Sequence, residues 1–493
     1  MIRTKAFRLT LAALLALVIG AAVAPWPARL GDGTTGDRAL TSRMRDITSG
    51  EQRVGLAVAV LDHGHLRTAG LGDTGTGTTV HPGTRFEIGS VTKTLTASVL
   101  ADMVHDGIVT PDEKVRDVLP GRDWQKGGIG DATLAQLASQ RSGLPRLPLS
   151  PRTYVAGVVG NLFGLNPYGS TDAADVVGAA ANSPRPTKGD YAYSNLGFAF
   201  LGQVLAAKAG KPYPELLRTR VLEPLHMDAT VIPSPAAGPP EGRAVGHDGS
   251  GRRVDSWISP GYAPAGSGVW STVGDLARFG AQTMAGTAPG AGAAKPRYPA
   301  GGGDRIGYAW VTTRGSDGDS FTWHNGASGG CTAFLGFDSE HQRVVAVLNN
   351  TGVPVDSIGV ALLGHGHGGD RPTRVLPTAL AVAFPLFAGL SLVATVRGGW
   401  RRRPRRTPDR ATIVGTAGWS AFLLAVGFAG GALGYELIPF WLAGWALCGI
   451  GVLSAVVRWR DLPTNAAKRP WLRWLGTGVG VAAGIVFAAG VAG

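Results

Sequence analysis

The sequence predicts an α/β chain of the α+β kind: an antiparallel sheet flanked by helices, a helical subdomain, and then an all-α membrane bundle. Three observations carry this expectation. Strand-like apolar stretches stand near residue 55 and recur between residues 320 and 350. Between about 110 and 230 the pattern is helical, so one sheet would take strands from both chain ends around a helical insertion. Beyond residue 374 come four apolar runs, each close to the ~20 residues that cross a hydrocarbon core.

The elements follow in order. Residues 1–25 combine Arg3, Lys5 and Arg8 with an apolar run from Leu9 to Val23, the pattern of a secretory signal or an uncleaved anchor. Ala22-Val23-Ala24 has small-residue cleavage spacing, but Pro25 directly after it disfavours cutting, and both readings stay open. Residues 26–45 read as a linker and 46–357 as the folded domain. "VGLAVAVLDHGHLRTAGLGD" is a hairpin with His63 and His65 as turn residues rather than ligands. In "FEIGSVTKTLTASVLADMVHDG", Val91, Leu95, Val99 and Met103 recur every four residues and Gly107 supplies a stop signal. "SNLGFAFLGQVLAAKAGK" is a second helix, with Leu201, Val204 and Leu205 on one face. Residues 285–303 have the composition of a flexible surface loop. "SFTWHN", "CTAFLGFD" and "RVVAVLNN" close the domain as strands. Residues 358–374, including "GHGHGGDRP", read as a tether, and His365 and His367 as part of it rather than as metal ligands.

Four spans are expected at about 375–396, 411–433, 438–457 and 474–492. The net charge of +13 sits mostly beside them. Residues 397–410 hold seven Arg and one Asp, and residues 458–473 hold five basic residues and Asp461. The remainder is nearly neutral, which argues against a nucleic-acid partner. Basic loops stay cytoplasmic, so both Arg-rich segments lie inside and the large domain outside. The chain is thus expected as a multi-pass cell-membrane protein with the lipid bilayer as partner and its folded domain extracytoplasmic. The runs carry no ionisable residue within them, which favours an anchor or interaction module over a transporter. Two cysteines, Cys331 and Cys448, support neither a disulfide framework nor a zinc site.

The chemistry concentrates at three places. Ser90 and Lys93 lie one helical turn apart at the start of an apolar helix. Tyr193 and Asn195, in "YAYSNLG", stand just before another helix. His324, Asn325 and Gly326, in "WHNGASGG", stand at the end of an apolar strand. Singly, Ser90 reads as a helix cap, Lys93 as a solvated residue, Tyr193 as a half-buried aromatic and His324 as a strand end. A hydroxyl becomes a nucleophile when a nearby base takes its proton, and a desolvated amine is such a base.

Ser-x-x-Lys, then Tyr-x-Asn about a hundred residues on, then a His-x-Gly triplet on a late strand resembles the serine β-lactamase and penicillin-binding-protein family. The likeness is to its class C, D-alanyl-D-alanine carboxypeptidase and esterase branch, and this chain adds a C-terminal transmembrane extension. "RSGLPRLP", "VLEPLHMDAT", "AGSGVWSTVGDLARF", "GYAW" and "VVAVLNNT" strengthen it, over roughly residues 45–355. The resemblance implies a β-lactamase-like fold and catalysis by Ser90, Lys93 and Tyr193. It implies substrate binding by Asn195, His324, Asn325, Gly326 and Ala327, with neither metal nor cofactor. Ser90 would attack an acyl carbon, and the backbone N–H groups of Ser90 and Ala327 would face the oxyanion. Lys93 and Tyr193 would share the base role, and Asn195 would hydrogen-bond the substrate amide and Lys93. Two departures stand out. His324 occupies the position of a lysine in lactamases, so a permanent charge for a substrate carboxylate is lost. "SQRSG" stands where family members often have "HTSG".

The expectation is therefore a membrane-anchored, outward-facing serine hydrolase. It would act through an acyl-enzyme on small molecules or peptides: cell-wall or other D-amino-acid peptides, esters or β-lactams. The alternatives are a penicillin- or peptidoglycan-sensing receptor, in which slow acylation signals through the spans, and a catalytically inactive binding protein.

Overall fold

The computed structural model describes residues 2–125, 127–315, 318–365, 375–398, 409–429, 437–463, 477, 478 and 482. The chain divides into two compact units. One comprises residues 28–160 and 164–370, the other residues 1–27, 161–163 and 371–493. After α1 (Ile2–Ala22), of the second unit, the first opens with β1 (Thr34–Gly36), α2 (Arg38–Ile47), β2 (Gly55–Asp62), β3 (His65–Gly72) and β4 (Phe86–Glu87). The helical middle follows: α3 (Thr92–His105), α4 (Val115–Val118), α5 (Leu134–Ala138), α6 (Pro151–Phe163), α7 (Ala173–Asn182), α8 (Asn195–Ala209) and α9 (Tyr213–Leu217). β5 (Trp270–Ser271) and α10 (Val273–Met284) lead into β6 (Tyr298–Gly301), β7 (Asp304–Ile306), β8 (Val311–Arg314), β9 (Ser320–Ser328), β10 (Cys331–Asp338) and β11 (Arg343–Asn349). Helix α11 (Asp356–Leu363) ends the unit.

Both chain ends meet in one antiparallel sheet of order β1-β3-β2-β11-β10-β9-β8-β7-β6. The β2–β3 hairpin turns through His63 (φ 48°) and Gly64 (φ 84°). Two left-handed residues give the turn whose twist matches that of the flanking strands. The central strands are covered on both faces, which is why they read as nearly continuous apolar runs. Leu56, Val58, Val60, Phe334, Val345 and Val347 alternate toward α2 and α11, where Met44 and Ile358 meet them. Ala57, Ala59, Leu335, Ala346 and Leu348 face α3, α8 and α10, packing with Leu95, Val99, Phe198 and Phe279. The four-residue repeat of α3 is buried throughout, Val91, Leu95, Val99 and Met103 alike.

Three segments depart from expectation. Residues 34–47, expected as linker as far as 45, form β1 and α2. Asp37 caps that helix, accepting from Leu40 N at 2.7 Å, and Leu40 and Met44 are buried. The 285–303 stretch is no flexible loop: it carries a 3₁₀ turn, Ala291–Ala294, and β6. Small residues there permit close packing, since a Cβ at Gly290 would lie 2.0 Å from Ser98 O. In the supposed tether, residues up to 363 are α11. His365 is buried, stacked on Phe321 at 4.7 Å, with Nε2 3.0 Å from Asp338 Oδ2. His367 lies outside the described residues.

Among its described residues the second unit holds α1, α12 (Val375–Gly398), α13 (Arg410–Ala429) and α14 (Ile438–Arg458). Among the described residues three segments are long and apolar enough to cross a membrane: Thr378–Val396, Arg410–Phe428 and Ile438–Asp461. Small residues bring helices together, as they do where lipid removes the hydrophobic drive: a Cβ at Gly444 would lie 2.5 Å from Pro385 O. Trp441 Nε1 donates to Gly20 O at 2.9 Å, joining α14 to α1. The fourth expected span, 474–492, falls almost wholly outside the described residues.

Candidate active site

Helix α3 is entered through a 3₁₀ turn, Gly89–Val91, so Ser90 sits in the first turn, where helical N–H groups have no partner within the helix. Lys93 follows one turn later on the same face and is fully buried. Its Nζ lies 2.8 Å from Ser90 Oγ and donates to Ala265 O at 2.6 Å. The Phe198 ring lies 5.9 Å from Nζ, an apolar neighbour that keeps water away. The loop bearing Ala265 approaches through Gly266 (φ 114°). A Cβ there would stand 2.1 Å from Gly89 O, so another side chain would push the carbonyl off Lys93.

Tyr193 comes from the residues just before α8. Its hydroxyl donates to Ser90 Oγ at 2.7 Å, and Lys93 Nζ is 5.1 Å from its ring centre. Ser194 caps α8, accepting from Gly197 N at 2.8 Å, and its own hydroxyl donates to Pro145 O at 2.7 Å. The unusual "SQRSG" now has a physical account. Gln140, buried and left-handed at φ 58°, accepts from Ser194 N through Oε1 at 2.8 Å, and its carbonyl accepts from Ala192 N at 2.8 Å. The loop thus clamps the backbone on both sides of Tyr193. Asn195 donates to Tyr168 OH at 3.2 Å, not to Lys93, whose partner is Ala265 O instead. Asn195 Oδ1 is buried without a partner.

The opposite wall is β9. It runs on through Ser328, pairing with β10 as far as Ser328↔Cys331, so His324 lies within the strand rather than at its end. His324 is buried, and Nδ1–H donates to Asn325 O at 2.6 Å, which leaves Nε2 as the lone-pair nitrogen. A Cβ at Gly326 would lie 2.0 Å from Ile88 O and 3.1 Å from Ser90 N; one at Gly89 would meet the Ala327 backbone at 2.6–2.7 Å. Backbone therefore touches backbone where the serine turn meets the strand, bringing the peptide groups of Ser90 and Ala327 together. Asn325 departs from the expected arrangement. Alternation along β9 turns its side chain to the other sheet face, beside the Asp356 carboxyl of α11. Only its carbonyl serves this wall.

Burial sets the protonation states. It drives the Lys93 amine well below the ordinary lysine range, helped by the Arg146 charge. Burial likewise raises the Tyr193 phenol, against the Ser90 hydrogen bond and Arg146, which lower it. His324 is brought down to about 3, by burial first and then by the proximity of Lys93. The pocket therefore sets an amine of depressed proton affinity and a phenol against one hydroxyl, with an uncharged imidazole near the amine, an arrangement suited to taking the proton of a serine. Glu87, three residues before Ser90, is buried and raised to about 7 by desolvation. It accepts from Ser328 Oγ and from Trp257 N at 3.3 Å, joining β4 to the end of β9.

Ser90, Lys93, Tyr193, Asn195, His324, Gly326 and the Ala327 backbone thus converge. Ala265, Gln140, Glu87, Tyr168 and Arg146 escaped sequence reasoning. Their partners are backbone atoms or distant residues, and Gly266 within "AGSGVW" was the one local signal for the Lys93 contact. Among the described residues no group of three or more His, Cys, Asp or Glu could hold a metal ion, and both cysteines are free thiols.

Residues 37–363 match the family model described as Beta-lactamase. The D-aminopeptidase of Gluconobacter oxydans (strain 621H) is 26% identical over 194 residues, 39% of this chain and 33% of that protein. The D-alanyl-D-alanine-carboxypeptidase/endopeptidase AmpH of Escherichia coli (strain K12) is 28% identical over 193 residues, 38% of this chain and 48% of that protein. The chain thus matches less than half the length of either relative. Among solved structures, the octameric penicillin-binding protein homologue from Pyrococcus abyssi superposes with a TM-score of 0.58 at 22% identity, covering 70% of this chain and 81% of its own. That likeness is one of fold. With the family model spanning more than half of its length, this chain belongs to the β-lactamase family of hydrolases.

Proposed function

We propose that the protein is a membrane-anchored, outward-facing serine hydrolase that works through a Ser90 acyl-enzyme on peptides, esters or β-lactams. One observation carries this reading: Lys93 Nζ and Tyr193 OH stand 2.8 and 2.7 Å from the same Ser90 oxygen. Small D-amino-acid peptides are the first substrates to try, because relatives bear the names D-aminopeptidase and D-alanyl-D-alanine carboxypeptidase. The membrane part rests on the three long apolar helices, and the orientation on the Arg-rich segments beside them.

The chemistry follows from the protonation states. Neutral Lys93 accepts the Ser90 proton as Oγ bonds to the acyl carbon, while another of its N–H groups stays on Ala265 O. The carbonyl electron pair moves to oxygen, where the Ser90 and Ala327 N–H groups and the helix end stabilise it. When the tetrahedral species collapses, the bond to the leaving amine or alcohol breaks. Tyr193 gives its proton to that group and is reprotonated by Lys93. Water then attacks the acyl ester along the reverse proton route. Asn195 Oδ1 is the acceptor that holds a substrate amide N–H; an unpaired buried acceptor costs about 1–3 kcal/mol when nothing binds it.

The test uses full-length protein in detergent, wild type and Ser90→Ala, with a fluorescent penicillin and an activated ester. Ser90-dependent turnover of either supports the hydrolase. Label that persists without release points to a sensor, and absence of both label and turnover to a binding protein.

A further inference from the structure

We propose that Thr96 and Tyr213 are positioning residues for the reaction at Ser90: a buried hydrogen-bond chain from Tyr213 through Thr96 holds the loop whose carbonyl anchors the Lys93 amine. The inference rests on the reading of Ser90 and Lys93 as nucleophile and base, and adds what fixes the base. Ser90, Lys93 and Thr96 follow one another at three-residue steps into α3, each a neighbour of the one before on the helix surface. Lys93 and Thr96 reach adjacent carbonyls of one 3₁₀ turn, Ala263–Ala265. Lys93 Nζ donates to Ala265 O at 2.6 Å, and Thr96 Oγ1 donates to Pro264 O at 2.7 Å. Tyr213 OH, at the start of α9, lies 2.6 Å from Thr96 Oγ1. Burial raises the Tyr213 phenol, so it keeps its proton and serves as the donor. The one hydroxyl hydrogen of Thr96 is then left for Pro264 O, which is nearer than Thr92 O at 3.2 Å. On the far side α8 closes on the same turn, where a Cβ at Gly202 would lie 2.2 Å from Pro264 Cβ. Thr96, Tyr213 and Pro264 are all buried, so water does not replace a lost partner.

The chain bears on the chemistry through Ala265 O. A primary amine turns about its Cε–Nζ bond, and committing one N–H to Ala265 O leaves the lone pair for Ser90 Oγ, 2.8 Å away. The titratable and charged neighbours of Lys93 come from other elements: Tyr193 before α8, His324 on β9, and Arg146, whose Cζ is 5.4 Å from the centre of the Tyr193 ring. Ala265 O favours the ammonium over the amine, because a charged donor makes the stronger hydrogen bond. A slack 263–265 turn would therefore misaim the lone pair and depress the proton affinity of Lys93 further.

The experiment follows Ser90-dependent acylation against pH in full-length protein in detergent, with p-nitrophenyl acetate and a fluorescent penicillin as probes and Ser90→Ala as the blank. Thr96→Val keeps the side-chain shape and removes the hydroxyl, Thr96→Ser keeps the hydroxyl, and Tyr213→Phe decides the matter if Thr96→Val does not fold. Thr96→Val should lower the acylation rate about tenfold to a hundredfold, the scale of a misplaced reacting group. It should also move the rising limb of the pH profile to lower pH, which a merely structural defect would leave in place. Thr96→Ser should restore both, and Tyr213→Phe should change both in the same direction by less. A wild-type rate and limb in folded Thr96→Val or Tyr213→Phe, a lower rate with an unmoved limb, or a defect that Thr96→Ser does not repair overturns the proposal. Wild-type protein without Ser90-dependent acylation by either probe sinks the hydrolase reading and this inference with it. An active wild type beside unchanged variants sinks this inference alone.

Discussion

The two walls of the pocket are built on different principles. On the helix wall, Ser90, Lys93 and Tyr193 meet through side-chain atoms at hydrogen-bond distance, and each residue's chemical identity matters. On the β9 wall the contact is made by peptide groups: Gly326 and Ala327 lie against Ile88, Gly89 and Ser90 with no room for a Cβ at 326 or 89. There the missing side chain is what lets the two backbones touch. Even His324 spends its Nδ1–H on a backbone carbonyl. A wall made of side chains is disabled by changing a functional group, and a wall made of backbone by adding atoms.

The largest effect should come from the helix wall. Lys93→Met keeps the length of the side chain and removes the base, and kcat/KM should fall about 10³- to 10⁴-fold, the upper range for a positioned proton acceptor. The pH profile sharpens the same point. If Lys93 is the base, activity needs its neutral amine, whose folded pKa is depressed, so kcat/KM should rise with pH through that depressed value rather than near the ordinary lysine pKa of about 10.4. A limb near the ordinary value would show Lys93 to be solvated and charged.

The next effect belongs to the strand wall. Gly326→Val brings a branched side chain where even a Cβ would lie 2.0 Å from Ile88 O. Separating the two peptide N–H groups should lower kcat about 10²- to 10³-fold, the scale of a lost oxyanion donor. Near-normal kcat in a folded Gly326→Val protein would mean that β9 is not pressed against the serine turn. The smallest effect should be that of Asn325→Ala, one residue away. Its side chain faces the other side of the sheet, so kcat/KM should change less than about threefold while stability falls by about 1 kcal/mol from the weakened contact with Asp356. A loss comparable to that of Gly326→Val would return the Asn325 amide to the pocket and undo the distinction between the walls.

Much of this was legible in the chain. The Ser90–Lys93 spacing on an apolar-periodic helix put both groups on one face, because helical geometry fixes the direction of residues three apart. The His63–Gly64 hairpin and the three closing strands were equally readable, since their periodicity is local. Asn325 was misplaced for an instructive reason. Three adjacent residues, His324, Asn325 and Gly326, read as one motif in sequence, yet strand alternation sends the middle side chain to the opposite face once β9 continues past it. Residues 285–303 were mistaken because Gly and Ala in a flexible loop and Gly and Ala packed against α3 have the same composition.

Local periodicity alone determined that one helix carries Ser90 and Lys93 on the same face, that both ends of the folded domain supply strands, and that apolar runs follow it. Only the tertiary structure decided that Ala265 O holds Lys93, that Gln140 clamps the backbone beside Tyr193, and that Arg146 lies over the Tyr193 ring. These contacts join residues scores of positions apart, often through main-chain atoms that every amino acid shares. Such partners leave no mark on residue type, and burial, which lowers the proton affinity of Lys93 and His324, exists only once the chain has closed around them.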